Sequence, residues 1–101
     1  MNNSGTFSIN FWLAKAKMRN GLAPIYCRIT INGQRTEIST KRFIEPTKWD
    51  SHGSGMMKGK SEEARVMNVY LGLMKTEIEN HVNIFQSKGE FITPAKLKKS
   101  I

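Results

Sequence analysis

The stretch Ile25-Tyr26-Cys27-Arg28-Ile29-Thr30-Ile31, Asn32-Gly33, Gln34-Arg35-Thr36-Glu37-Ile38-Ser39-Thr40 decides the fold. Two alternating runs flank Asn-Gly, the pair favoured in a type I′ turn because both central residues must take φ > 0. The predicted turn sets the register, with Ile31 opposite Gln34, Arg28 opposite Glu37 and Cys27 opposite Ile38. Alternation then puts Ile25, Cys27, Ile29, Ile31, Thr36 and Ile38 on one face. Tyr26, Arg28, Thr30, Arg35, Glu37 and Ser39 fall on the other. The first face suits a core. The second presents long basic, polar and aromatic side chains, and in a chain of net charge +8 it suits an anionic partner.

Residues 6–16 alternate in the same way. Phe7, Ile9, Phe11 and Leu13 share one face, and Ser8, Asn10, Trp12 and Ala14 the other. Asn20-Gly21 and Pro24 mark a turn before the hairpin. The pattern therefore predicts strands at 6–16, 25–31 and 34–40, and short connections favour sequential antiparallel neighbours with the second strand central. Such a sheet leaves one apolar face in need of cover. Residues 61–88 supply it. Ser61 is an N-cap, Glu62 and Glu63 complement the helix dipole, and Met67, Leu71, Met74, Ile78, Val82 and Phe85 recur at helical spacing. Lys88-Gly89 closes the helix. The expected fold class is α+β, a three-stranded antiparallel β-sheet meander packed on one long C-terminal α-helix.

Between hairpin and helix, Pro46 suits the first position of a helical turn, and Trp49 is expected to plug the sheet–helix core. Residues 51–59, rich in glycine and serine, read as a mobile loop. Residues 1–5 read as a disordered lead and 6–90 as one domain. Residues 91–101, with Thr93-Pro94 in cap and first-turn positions, read as a linker or the start of a next helix.

At 101 residues the chain is long enough for one self-sufficient core. The lone cysteine, Cys27, excludes an internal disulfide framework and a Cys-rich zinc site, and its place in the core row predicts an inert thiol. No apolar run reaches the length of a membrane span or signal peptide, so the expectation is a cytoplasmic protein with no membrane partner. Charge is unevenly spread. Residues 1–60 hold ten Lys/Arg against three acids, and residues 61–101 six against five. The excess lies with the sheet, which points to a polyanion, nucleic acid first.

Catalytic chemistry is not visible. His52 lies in the glycine-rich stretch and His81 on the helix, neither with metal-ligand spacing around it. Glu62, Glu63, Glu77 and Glu79 read as solvated helix charges. The expectation is a non-catalytic domain with no metal and no cofactor. The candidate base readers are Asn10, Trp12, Tyr26, Arg28, Thr30, Arg35, Glu37 and Ser39. Arg can bond guanine in bidentate fashion, Asn adenine, and Glu can accept from cytosine. Lys15, Lys17, Arg19, Lys41 and Arg42, expected at the strand ends, suit phosphates. Two other partners fit the same residues. Arg28–Glu37 is an ion pair that would support any hairpin, and Trp12 with Tyr26 would also suit a protein interface, docked through the sheet face or the helix. Stacking of the two rings on single-stranded RNA is a third reading.

Several blocks of the chain resemble a known family. They are Phe7-x-Ile-x-Phe-x-Leu13 with trailing lysines, the run from Asn20-Gly21 through Pro24-Ile25 and Arg28 to Asn32-Gly33, and Glu37-Ile-Ser-Thr40. Pro46-Thr-Lys-Trp-Asp50, Asn68 with Leu71, and Ile92-Thr-Pro-Ala-Lys-Leu97 complete the set. In order and spacing they resemble the N-terminal arm-type DNA-binding domain of phage and conjugative-transposon integrases, in the tyrosine recombinase family. The resemblance spans almost the whole chain and is most specific at Trp49 after Pro46 and at the Gly-x-x-Pro-Ile-x-x-Arg segment. It implies a sheet that enters the major groove of duplex arm sites during DNA integration and recombination. It also implies core-binding and catalytic domains downstream in the parent recombinase, with the isolated domain a monomer. The family's catalytic arginines, His-x-x-Arg segment and nucleophilic tyrosine have no counterpart here, so Tyr26 and Tyr70 are not nucleophiles.

Overall fold

Asn32 and Gly33 take φ of 51° and 83°, the two positive angles a type I′ turn requires. They join the second and third strands of an antiparallel sheet: β1 (Phe7–Leu13), β2 (Ala23–Ile31) and β3 (Gln34–Ile44), with β2 central. The computed structural model describes residues 7–53, 55–89, 93, 97 and 98. The expected register holds: Ile31 pairs with Gln34, Arg28 with Glu37 and Cys27 with Ile38. β1 adds Asn10 opposite Arg28 and Trp12 opposite Tyr26.

One helix, α1 (Glu62–Ser87), covers the apolar face. The Ser61 side chain caps it by accepting from the Ala64 N–H at 3.1 Å. Leu71, Ile78 and Val82 are buried against Ile9, Phe11, Ile25, Cys27 and Ile29, with Met67, Met74 and Phe85 packed at the margin. Trp49 joins this core as expected. At 26 residues the helix is about 39 Å long at 1.5 Å per residue, nearly the 44 Å length of the molecule.

The strand limits differ from the expectation. β1 ends at Leu13, because Lys15–Lys17 forms a 3-10 turn where alternation suggested strand to residue 16. The next turn is closed by a second Asn-Gly pair at 20–21, across which Arg19 and Leu22 exchange two 2.9 Å backbone hydrogen bonds. β3 runs on to Ile44, beyond the expected end at Thr40. It does so through a bulge: Tyr26 pairs with Ser39 but Ile25 with Arg42, so Thr40 and Lys41 are extra. Buried Thr40 supports the bulge. Its Oγ1 donates to the Ile25 carbonyl at 2.7 Å and accepts from the Arg42 N–H at 3.2 Å. Tyr70 of α1 donates its hydroxyl to the Thr40 carbonyl at 2.8 Å, tying the helix to the irregularity.

The stretch 51–59, expected to be a mobile loop, holds one strand of a small second sheet, β5 (Met56–Met57), which pairs with β4 (Trp49–Asp50) just before it. Asn68 of α1 stands in for a further strand. Its amide donates to the Met57 carbonyl at 3.0 Å and accepts from the Met57 N–H at 2.9 Å. Met57 is buried in the same core. The lead at 1–5 lies outside the described residues, as does most of 91–101. Of that segment, Leu97 is buried in the core, and its N–H donates to the Thr93 carbonyl at 3.0 Å, a helical spacing.

Cys27 is fully buried, and burial pushes its thiol up to about 12 from an ordinary value of 9.0. Iodoacetamide at mildly alkaline pH is expected to spare it in the native protein and label it in denaturant, as read by mass spectrometry. The unfolded thiol loses its proton first, so the unfolded state binds fewer protons above about 9, and stability falls from there towards pH 12.

Candidate nucleic-acid interface

The strand register arranges the outer face as a lattice of three rows. Ser8, Thr30 and Arg35 form the first row, Asn10, Arg28 and Glu37 the second, and Trp12, Tyr26 and Ser39 the third. Arg28 is the central residue. Strands lie about 4.8 Å apart and alternate residues about 6.8 Å, so the lattice measures roughly 10 by 14 Å. Ser8 belongs to it, opposite Thr30, in addition to the expected candidates. Alternation from Asn10 was the signal that would have included it.

The side chains are linked across the rows. Arg28 donates to Glu37 Oε2 from Nε at 2.9 Å and from Nη2 at 2.8 Å. Its guanidinium carbon lies 4.9 Å from the Trp12 ring centroid. The Trp12 and Tyr26 rings are 5.8 Å apart, tilted by 40°. Lys17 Nζ donates to the Tyr26 hydroxyl at 3.0 Å, and the tyrosine raises the lysine above its ordinary range. A chain of two cations, two rings and one carboxylate thus spans the face, each cation resting on an aromatic ring. Thr30, Arg35 and Ser39 complete the surface, with Ser39 Oγ accepting from the Lys41 N–H at 3.1 Å.

The flanking basic residues divide into two groups. Lys15, Lys17 and Arg19 follow β1 in the 3-10 turn and the tight turn after it, and all are exposed. Lys41 and Arg42 are not at a strand end, which corrects the expectation. They lie within β3 at its bulge, because Thr40 lets the pairing resume after two extra residues. Lys41 takes φ of 65°. The Arg42 guanidinium carbon sits 4.1 Å from the ring centroid of Tyr70 on α1. Both border an open groove of about 470 Å³ between β3 and the helix, with Phe43, Val66 and Met67.

A second groove, of about 460 Å³, runs along the β1 side of the lattice. It is lined by Asn10, Trp12, Lys15 and Arg28 from the sheet side, and by Ser51 and Gly53 from the segment after β4. Sequence reasoning missed Ser51 and Gly53, because two-residue strands leave no periodicity to detect. Gly55 presses the small sheet onto β1: a Cβ on it would lie 2.5 Å from the Phe11 carbonyl oxygen. His52 is exposed, with Nδ1 2.7 Å from Asp50 Oδ1, and hydrogen bonds from the His52 backbone and ring hold Asp50 below the usual carboxylate range. Among the described residues, no group of three or more His, Cys, Asp or Glu could hold a metal ion. Nor is any helix there long and apolar enough to cross a membrane.

A basic three-stranded sheet that turns a polar, aromatic face to solvent and is backed by a single helix defines a class of binding module. The chain belongs to the Arm DNA-binding domain family, whose model matches residues 11–98. The family is associated with DNA binding through an arm-type domain and with integrases. Neither curated proteins nor solved structures give a significant match.

Proposed function

We propose that this domain binds duplex DNA by laying the outer face of its sheet in the major groove, and so positions a tyrosine-recombinase integrase on arm-type sites in the cytoplasm. It would not cut DNA; downstream domains of the parent would. The observation that carries this reading is Arg28 at the centre of a lattice roughly 10 Å across, which fits a groove about 12 Å wide. Asn10, Trp12, Tyr26, Thr30, Arg35 and Ser39 would meet base edges. Lys15, Lys17 and Arg19 beyond the end of β1, and Lys41 in the bulge, would meet phosphates. A weak arm contact of this kind raises the effective concentration of linked domains at the core site.

The test is a titration of labelled duplex into the domain, following amide shifts at low and moderate salt. Shifts at Asn10, Trp12, Tyr26, Arg28 and Arg35 are expected. For five or six phosphates, log K should fall with log salt at a slope of about −5. Arg28→Ala is expected to cost roughly 1–3 kcal/mol on a preferred site and little on unrelated duplex, measured by fluorescence anisotropy. Silence on the sheet would favour a second reading, a protein-interaction module. One observation supports it: Val66, Val69 and Leu73 of α1 are each at least half exposed and recur at helical spacing.

A further inference from the structure

Arg28 is held on two sides. Its Nε and Nη2 both donate to Glu37 Oε2, and its guanidinium rests against the Trp12 ring. Trp12 is braced in turn by Tyr26, and Tyr26 by Lys17. A guanidinium carries five N–H donors in one plane. Glu37 occupies the edge made by Nε and Nη2. Three N–H groups remain: two, on Nη1 and Nη2, form the end-on edge, parallel and pointing along the side-chain axis, and the third is the other N–H of Nη1. That edge matches O6 and N7 of guanine in the major groove. An unrestrained surface arginine can present either edge, or swing aside to a phosphate. Here one edge is taken, and the other is fixed at the centre of the lattice.

We infer, resting on the sheet-face reading above, that Glu37 is a positioning residue that determines specificity: it holds Arg28 end-on towards one guanine at the centre of the DNA footprint. The Glu37 carboxylate does not itself need to touch a base. It lowers affinity for duplex in general, because it brings negative charge into a groove lined by phosphates. In return it removes the arginine conformations that would contact phosphate without regard to sequence. The preferred site should therefore carry one G·C pair near its centre that supplies most of the discrimination.

The test is selection from a randomised duplex library with the wild-type domain, Glu37→Gln, Glu37→Asp and Arg28→Ala, followed by anisotropy on the winning duplex and on its G·C-to-A·T variant. Amide spectra of each protein check that the fold is kept. The wild type is expected to select one near-invariant central G·C pair. Arg28→Ala should abolish that preference. Glu37→Gln should bind unrelated duplex several-fold tighter yet discriminate the central pair about tenfold less, within the range a bidentate pair supplies. Glu37→Asp keeps the charge but withdraws the carboxylate by one methylene, so it should lose discrimination with no gain on unrelated duplex. If both Glu37 variants keep the full G·C preference while Arg28→Ala loses it, the sheet-face reading stands and the role given to Glu37 is wrong. If Arg28→Ala keeps the preference, the face is not the reader and both fall together.

Discussion

Trp49→Ala is expected to destabilise the domain by about 3–5 kcal/mol, the usual cost of truncating a buried tryptophan. The ring is 8% exposed and joins the core made by the sheet and α1. It also begins β4, pairing with the buried Met57. Its removal would leave a cavity between the main core and the small sheet, which is held otherwise by the Asn68 amide and the contact at Gly55. In a domain of about 100 residues each kcal/mol shifts Tm by roughly 4–8 °C, so a fall of at least about 12 °C is expected by calorimetry. A change under about 1 kcal/mol would mean that the indole is peripheral.

Gly55→Ala is expected to cost about 2–4 kcal/mol, far more than one added methyl group costs on an ordinary surface. Two penalties combine. Gly55 takes φ of +88°, where an L side chain is strained. The new Cβ would also lie 2.5 Å from the Phe11 carbonyl oxygen and 2.7 Å from Trp49 Cζ2. Backbone cannot move aside as a flexible side chain can, so the small sheet must lift away from β1. Urea denaturation would measure the loss. Amide shifts at Asn10 and Trp12, which flank Phe11 and line the groove, would show whether the outer sheet face is disturbed as well. An alanine variant as stable as the wild type would mean that β4 and β5 are not seated on β1 as described.

These two substitutions separate what was legible from what was not. Trp49 could be placed in the core from its size and its position after Pro46 alone. Gly55 could not, since nothing local distinguishes it from Gly53 or Gly59. The same division runs through the interface. That Asn10, Trp12, Tyr26, Arg28, Thr30, Arg35, Glu37 and Ser39 share the outer face follows from alternation. Their links to one another, through the Trp12 and Tyr26 rings, depend on neighbouring strands meeting in register. Arg42 was grouped with phosphate contacts because it followed the expected strand end. Its stacking on Tyr70 depends on a partner 28 residues further along the chain, on a different element.

The sequence by itself determined the register of the hairpin, the two faces of its strands, the helix with its cap, and the core rows Ile9, Phe11, Ile25, Cys27, Ile29, Leu71, Ile78 and Val82, while Phe7 is exposed and Ala14 and Met57 are buried against expectation. Each is set by local chemistry: the positive φ angles of Asn32-Gly33, a side-chain period of two or 3.6, and the Ser61 hydroxyl at the head of α1. Only the tertiary structure decided the bulge at Thr40 and Lys41, the pairing of β4 with β5, and the resting of Arg28 on the Trp12 ring. Those features rest on groups distant in sequence satisfying one another. Thr40 caps the Ile25 carbonyl, Asn68 of α1 stands in for a strand beside Met57, and Tyr70 of α1 ties the bulge to the helix. The contacts made by Asn68 and Tyr70 become available only once the sheet has closed on its helix.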